Sequence, residues 1–241
     1  MIALLLALIG LPAGLALDRI VVHLAVPLDE EEEEPAQREA KPPEAKPAGA
    51  ETGSLVLDLD VPARAWGRRL LIVAATAGLF ASAGVGYDEP AHLAIVTAYI
   101  CALIVCSATD LLVYRVPNVI TYPAMVGALA VAAAMPDASL LSAVSGAGLA
   151  GGALFLPALF TGGVGMGMGD VKLAAFVGLA LGFTLTVPAM LVMALTGGGA
   201  AALLLITGRR KRREPIPYAP FIAIGALTVL LTQGAAFVSF D

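Results

Sequence analysis

Apolar stretches long enough to cross a lipid bilayer recur along most of this 241-residue chain. Each covers about 17 to 25 residues, and a helix of that length spans a hydrocarbon core of roughly 30 Å. The chain is 59% hydrophobic and 14% charged, which is too apolar for a soluble domain of this size. Stretches such as 72–83 lack the alternation of apolar and polar residues that a membrane β-barrel requires. The sequence therefore predicts an all-α, polytopic membrane protein.

We predict about eight transmembrane helices. The first lies in residues 1–26, and its charged residues follow the apolar run, whereas a signal peptide carries its positive charge before that run. Pro188 either kinks one long element or separates two short spans near the end of the chain. With two spans there, the remaining seven fall at 69–86, 92–109, 117–134, 139–161, 171–184, 187–207 and 218–237.

A hydrophilic segment at 27–67 separates the first span from the rest. It contains the acidic run 29–34 and then a stretch rich in Pro, Ala, Lys and Glu. Such a composition buries too little apolar surface to fold alone, so we predict a largely disordered cytoplasmic loop. The acidic run could attract a basic peptide, although a solvated linker is the simpler interpretation. Residues 68–241 then form the predicted membrane-embedded domain.

Lysine and arginine fall only in alternate connections between the predicted spans. By the positive-inside rule these connections are cytoplasmic, and both termini lie outside. The opposite connections hold Asp88, Glu89 and Asp137 instead. The basic residues are Arg19, Arg38, Lys41, Lys46, Arg64, Arg68, Arg69, Arg115, Lys172 and the run 209–213.

Two acidic residues, Asp110 and Asp170, fall at span ends on the same predicted face. Ionisable groups are costly at membrane depth, which makes such residues candidates for function. Asp110 closes the third predicted span, and Pro117 then suits the start of the next helix. Asp170 follows the glycine-rich run 162–169 and precedes an apolar helix, as a favoured N-cap residue would.

Two carboxylates that share a site do not ionise together easily, so one can act as a base while the other stays protonated. Such a pair can activate a water molecule against a peptide carbonyl. The helix N-terminus favours negative charge at Asp170, which makes it our choice for the base. Structural roles remain as alternatives, an N-cap for Asp170 and a solvated helix end for Asp110.

The sequence around both acids resembles the type IV prepilin peptidases and the archaeal preflagellin peptidases. Residues 167–172 read Gly-Met-Gly-Asp-Val-Lys and match the Gly-x-Gly-Asp motif of that family, including the Lys two positions after the Asp. Pro117 and Asn118 follow Asp110 at the family's spacing. The segment 216–225 is similar to a recurrent segment near the family's C-terminal end. Together these features cover roughly residues 95–235.

The resemblance implies an aspartyl endopeptidase of the cell inner membrane, with its active site at the cytoplasmic face. Asp110 and Asp170 would be catalytic. Gly167, Gly169, Lys172, Pro117 and Asn118 would shape the substrate site. The substrates would be precursors of pilins or pseudopilins, which carry a short basic leader before an apolar helix.

Bifunctional members of that family also carry a cytoplasmic zinc-binding domain with paired Cys-x-x-Cys motifs, associated with N-methylation. The two cysteines here, Cys101 and Cys106, lie instead within one apolar segment. We therefore expect peptidase activity without a metal, a cofactor or methylation by such a domain. Membrane lipid and a second copy of the chain are further expected partners, and nucleic acid is not.

Other classes of function remain open at this point. A carboxylate-dependent transporter would also place acids and glycine-broken helices in the membrane, although usually near its midplane and within internal repeats. A non-catalytic escort for pilin precursors would share the family's sequence without its chemistry. An intramembrane protease acting on helices other than pilins is the third alternative.

Overall fold

The structure is a computed structural model that describes residues 2–25, 63–160, 166–207 and 217–239. These residues form seven helices and one small antiparallel hairpin. The elements are α1 (Ile2–Ala25), α2 (Ala63–Gly86), α3 (Pro90–Val113), α4 (Asn118–Ala134), α5 (Leu140–Phe160), α6 (Met168–Ile206), α7 (Ala219–Thr232), β1 (Gly234–Ala235) and β2 (Val238–Ser239).

Five helices in the described part of the chain, α1, α2, α3, α5 and α6, are long and apolar enough to cross a membrane. The helices α4 and α7 are apolar but shorter. A helical, polytopic membrane protein is therefore confirmed, while the number of eight spans stays a prediction. The predicted span 218–237 is too long at its C-terminal end. Its helix stops at Thr232, and Gly234, with φ 107°, begins the hairpin.

Helix α6 folds back on itself at Gly182. The backbone there has φ 74° and ψ 174°, which is not helical. Ala174 and Met193 line the same small cavity, although nineteen residues of straight helix would separate them by about 28 Å. The two halves therefore lie side by side. The break occurs at Gly182 and not at Pro188, which lies within the second half.

Glycine permits close contacts between helices of the described bundle. A Cβ atom at Gly146 of α5 or at Gly178 of α6 would overlap the carbonyl group of the other residue. On α1, a Cβ atom at Gly10 would lie 2.6 Å from the Cα atom of Ala77 in α2. Small residues at such crossings let helices gain van der Waals contact in lipid, where no hydrophobic force drives them together.

The loop predicted at 27–67 lies mostly outside the described residues. Its last five residues belong to α2, which begins at Ala63 because the Ala and Arg residues there favour helix. Helix α1 continues past its apolar run and buries Asp18 completely. The Asp18 carboxylate accepts hydrogen bonds from Arg68 Nε at 2.8 Å and Arg69 Nε at 2.9 Å. Two arginines expected only to orient the chain thus also join α1 to α2.

The helix ends gather at two opposite poles of the bundle. At one pole, the amide of Phe183 donates to Ser142 Oγ at 3.0 Å, which ties the α6 turn to the start of α5. The amide of Ala236 in the hairpin donates to the carbonyl of Ala180. Nearby, the buried Tyr87 hydroxyl donates to the carbonyl of Leu230, and burial raises the pKa of this phenol. The end of α3 and the starts of α4, α6 and α7 form the other pole.

Candidate active site

Asp110 lies in the last turn of α3. The helix runs three residues beyond it to Val113, so Asp110 does not end the span as predicted. Tyr114 then adopts a left-handed conformation with φ 54° and ψ 37°, and its amide donates a hydrogen bond to the carbonyl of Asp110. This conformation is uncommon for a non-glycine residue, and it turns the chain toward Pro117, the N-cap of α4. A short re-entry follows Asp110, as the sequence predicted.

The Asp110 carboxylate is buried against the start of α7. The Asp110 residue is 5% exposed, and its Oδ2 accepts a hydrogen bond from the amide of Ala219 at 3.0 Å. Ala219 is the first residue of α7, so a helix N-terminus faces this carboxylate. The resemblance over 216–225 indicated that this segment mattered. It did not indicate that the segment binds Asp110.

Asp170 occupies the first turn of α6 and is not its N-cap. The helix begins at Met168, and the carbonyl of Gly167 accepts the amides of Asp170 at 3.1 Å and Val171 at 3.4 Å. The residue is 8% exposed, and its Oδ1 has no hydrogen-bond partner among the described residues. Both carboxylates thus lie at helix N-termini, so the charge argument that singled out Asp170 as the base no longer separates the two.

Gly169 brings the first turn of α6 against the α3–α4 connection. A Cβ atom at this position would lie 2.9 Å from the Cβ atom of Val116, closer than such atoms approach. At Gly167, a Cβ atom would lie 3.3 Å from Asp170 Oδ2. Neither glycine has a positive φ angle, so close approach is what requires Gly169. The run's earlier glycines, 162, 163 and 165, lie outside the described residues.

Both carboxylates line one open cavity of about 580 Å³. All the residues that the sequence singled out border it, so the structure brings the predicted set together. Their catalytic and binding roles stay predictions. These residues are Asp110, Asp170, Gly167, Gly169, Lys172, Pro117 and Asn118.

Lys172 joins the start of α6 to the start of α4. Its Nζ atom donates to Asn118 Oδ1 at 3.0 Å and lies 4.9 Å from the centroid of the Tyr122 ring, a cation–π distance. Within the described residues it forms no ion pair with either Asp110 or Asp170. Lys172 thus connects the start of α6 to the start of α4 in the structure.

Sequence reasoning missed part of the cavity wall. Tyr114, Arg115 and Val116 of the α3–α4 connection line the cavity, and Leu24 reaches it from the end of α1. Their proximity to Asp110 in sequence was the available signal for the first three. For Leu24 there was none, because its position depends on how α1 packs. The ion pairs of Asp18 hold that end of α1 against α2.

The arrangement offers two buried carboxylates and an open space beside them. In the described part of the chain, no group of three His, Cys, Asp or Glu residues could hold a metal ion. Two carboxylates that border one cavity can orient a water molecule and polarise a carbonyl group of a substrate bound there.

Known proteins resemble this chain over the region that contains the cavity. The sequence model of the type IV leader peptidase family matches residues 97–205, which include Asp110 and Asp170. A protein of Bacillus subtilis (strain 168) named prepilin leader peptidase/N-methyltransferase is 35% identical over 167 residues, covering 68% of this chain and 66% of that protein. This chain belongs to the type IV leader peptidase family.

Relatives with the same name in Burkholderia pseudomallei strains 1026b and K96243 are each 31% identical over 170 residues. The match again covers 68% of this chain but 55% of theirs. The matched region is thus shorter than two thirds of each of these relatives. No solved structure matches the chain.

Proposed function

We propose that this family member is a membrane aspartyl endopeptidase that removes the short basic leader from type IV prepilin-like precursors at the cytoplasmic face. One observation carries the proposal. Asp110 and Asp170, sixty positions apart in the chain, are both buried and line the same cavity. Family membership and the relatives' name supply the substrate class.

The cavity's position supports cleavage at a membrane edge. Asp110 is three residues from the end of α3, and Asp170 is the third residue of α6. Arg115 and Lys172 line the same cavity, and basic residues mark the cytoplasmic side. A precursor with its leader in the cytoplasm and its apolar helix in the membrane presents the bond between them at that level. A transporter would place such acids deeper, near the bilayer midplane.

In the proposed reaction, the ionised member of the pair removes a proton from water while the protonated member polarises the scissile carbonyl. The resulting hydroxide adds to the carbonyl carbon, and the peptide bond then breaks as the proton taken from water passes to the leaving amine. Because Asp110 and Asp170 share the cavity, the roles of base and acid belong to the pair. The Ala219 amide holds Asp110 in place, and Asp170 Oδ1 has no competing partner among the described residues.

The test is cleavage of a precursor with a basic leader and an apolar helix by the full chain in liposomes. We expect two products, with mass spectrometry placing the cut between leader and helix. The masses also show whether the new N-terminus gains a methyl group, which we do not propose. Binding without any cleavage would contradict the proposal and favour the escort function instead.

A further inference from the structure

An apolar groove of about 420 Å³ lies between α2 and α7, with α3 at its floor. Helix α2 contributes Leu71, Ala75 and Leu79, and α7 contributes Ile224 and Leu227. Leu71 and Ile224 are exposed, so the groove opens to the surroundings of the bundle. For a bundle in a membrane, these surroundings are lipid.

The groove leads to the Asp110 carboxylate. On α3, Leu103 and Ser107 line the groove, and Asp110 continues the same helical stripe at the i+4 and i+7 spacing. On α7, Pro220 lines the groove directly after Ala219, whose amide binds Asp110. The Ser107 hydroxyl also donates to the carbonyl of Ala219 at 3.5 Å. Groove and carboxylate thus share the start of α7.

The length of the groove fits a short piece of helix. From Pro220 to Leu227 the α7 wall rises about 10 Å, roughly two turns of an α-helix. Between helices in lipid there is no hydrophobic driving force, so van der Waals packing decides where an apolar helix docks. A groove that its side chains can fill provides that packing. A helix lying here would have one end beside Asp110 and would run away from the cavity.

We propose that this groove binds the first two turns of the apolar helix of the precursor and so presents the preceding bond to the carboxylate pair. The inference rests on the proposed function, because that function supplies an apolar helix which begins at the cleaved bond. Neither a lipid chain nor a second copy of this protein has a feature that would place its end beside Asp110. The groove therefore sets which precursors are cut, through the size of the side chains in those two turns.

Ala74 and Ala75 provide a matched pair for the test. Both are exposed on α2, but only Ala75 lines the groove. A photo-crosslinking residue at either position, in full-length protein in liposomes, is irradiated with the precursor. We expect a precursor adduct from position 75 and little or none from position 74. Adducts from 75 with lipid alone, or with a second copy of the chain, would overturn the proposal.

Kinetics of Ala75→Trp and Ala74→Trp provide the second measurement. An indole at position 75 fills the groove, so KM for the precursor should rise at least about fivefold with kcat little changed, as for lost uniform binding. Ala74→Trp should behave as wild type. Equal values of KM and kcat for the two variants would overturn the proposal that the groove binds the precursor. Crosslinking does not require cleavage. An adduct from position 75 without any cleavage would therefore contradict the proposed peptidase function while supporting the groove as the binding site of the precursor.

Discussion

At the residue scale, the contact between Gly169 and Val116 sets the distance between the two elements that carry the acids. Gly169→Ala would add a Cβ atom 2.9 Å from that of Val116 and push the Asp170 turn away from the α3–α4 connection. A displacement of about 1 Å can reduce catalysis by about a hundredfold. We expect a loss of that order in kcat for precursor cleavage.

The control for this prediction is Gly127→Ala in α4, where an added Cβ atom would meet no atom within 4 Å. The activity of Gly167→Ala should lie between those of the two variants, since its Cβ atom would lie 3.3 Å from Asp170 Oδ2 and no closer to any other atom. Wild-type activity of Gly169→Ala, at matched expression, would show that this contact does not position the pair.

The residues that sequence analysis could identify are those in local motifs. Asp110, Asp170 and Lys172 stand within a few positions of Pro or Gly residues whose spacing is specific. The partners of such residues were not predictable, because they come from distant parts of the chain. Ala219 binds Asp110 from 109 positions away, and Arg68 binds Asp18 from 50 positions away. Nothing in the local pattern around Asp18 indicates that arginines will neutralise it.

At the element scale, the fold of α6 depends on Gly182. Its φ of 74° and ψ of 174° belong to a region that only glycine occupies readily, and an added Cβ atom would lie 2.9 Å from Ser142 Oγ. Gly182→Ala should therefore lower the stability of the protein by about 1–3 kcal/mol. Thermal unfolding in detergent measures this as a lower midpoint.

Gly198→Ala is the matched control, since Gly198 is exposed in the same helix and an added Cβ atom would meet no atom within 4 Å. Its midpoint should not fall, because alanine favours helix more than glycine does. If both variants unfold at the wild-type temperature, the backbone turn at Gly182 does not constrain α6.

The break in α6 could be located only approximately from the sequence. Pro188 was the visible signal, and the predicted spans 171–184 and 187–207 met between it and Gly182. In an apolar run, Gly182 resembles any small residue of a membrane helix. Its surroundings come from distant parts of the chain, since an added Cβ atom would meet Ser142 of α5 and Ala236 of the hairpin.

At the scale of the whole molecule, the return of α6 decides which side of the membrane the connection from α6 to α7 faces. If both halves cross, Thr184 lies on the side of the α4–α5 connection, opposite Arg115. We expect Thr184→Cys and Asp137→Cys, in a chain without Cys101 and Cys106, to react with an impermeant maleimide from outside. Arg115→Cys should react only when the cytoplasmic face is exposed.

Reaction of Thr184→Cys and Arg115→Cys from the same side would contradict the predicted topology. The alternation of basic and acidic connections was sufficient to predict which helix ends share a pole. The same alternation contains no information on how closely those ends approach one another. Packing of glycine and alanine at the helix crossings determines that distance.

The proposed mechanism requires Asp110 and Asp170 to act together on one peptide bond. The most direct measurement is the rate of precursor cleavage by Asp110→Asn, Asp170→Asn and the double variant, with matched expression and folding. Each single variant should lose at least about a hundredfold, the lower end of what acid–base catalysis contributes. The double variant should be little slower than either, because residues that act as a unit are not additive. Cleavage at the wild-type rate by either single variant would show that the two aspartates do not act as a catalytic pair.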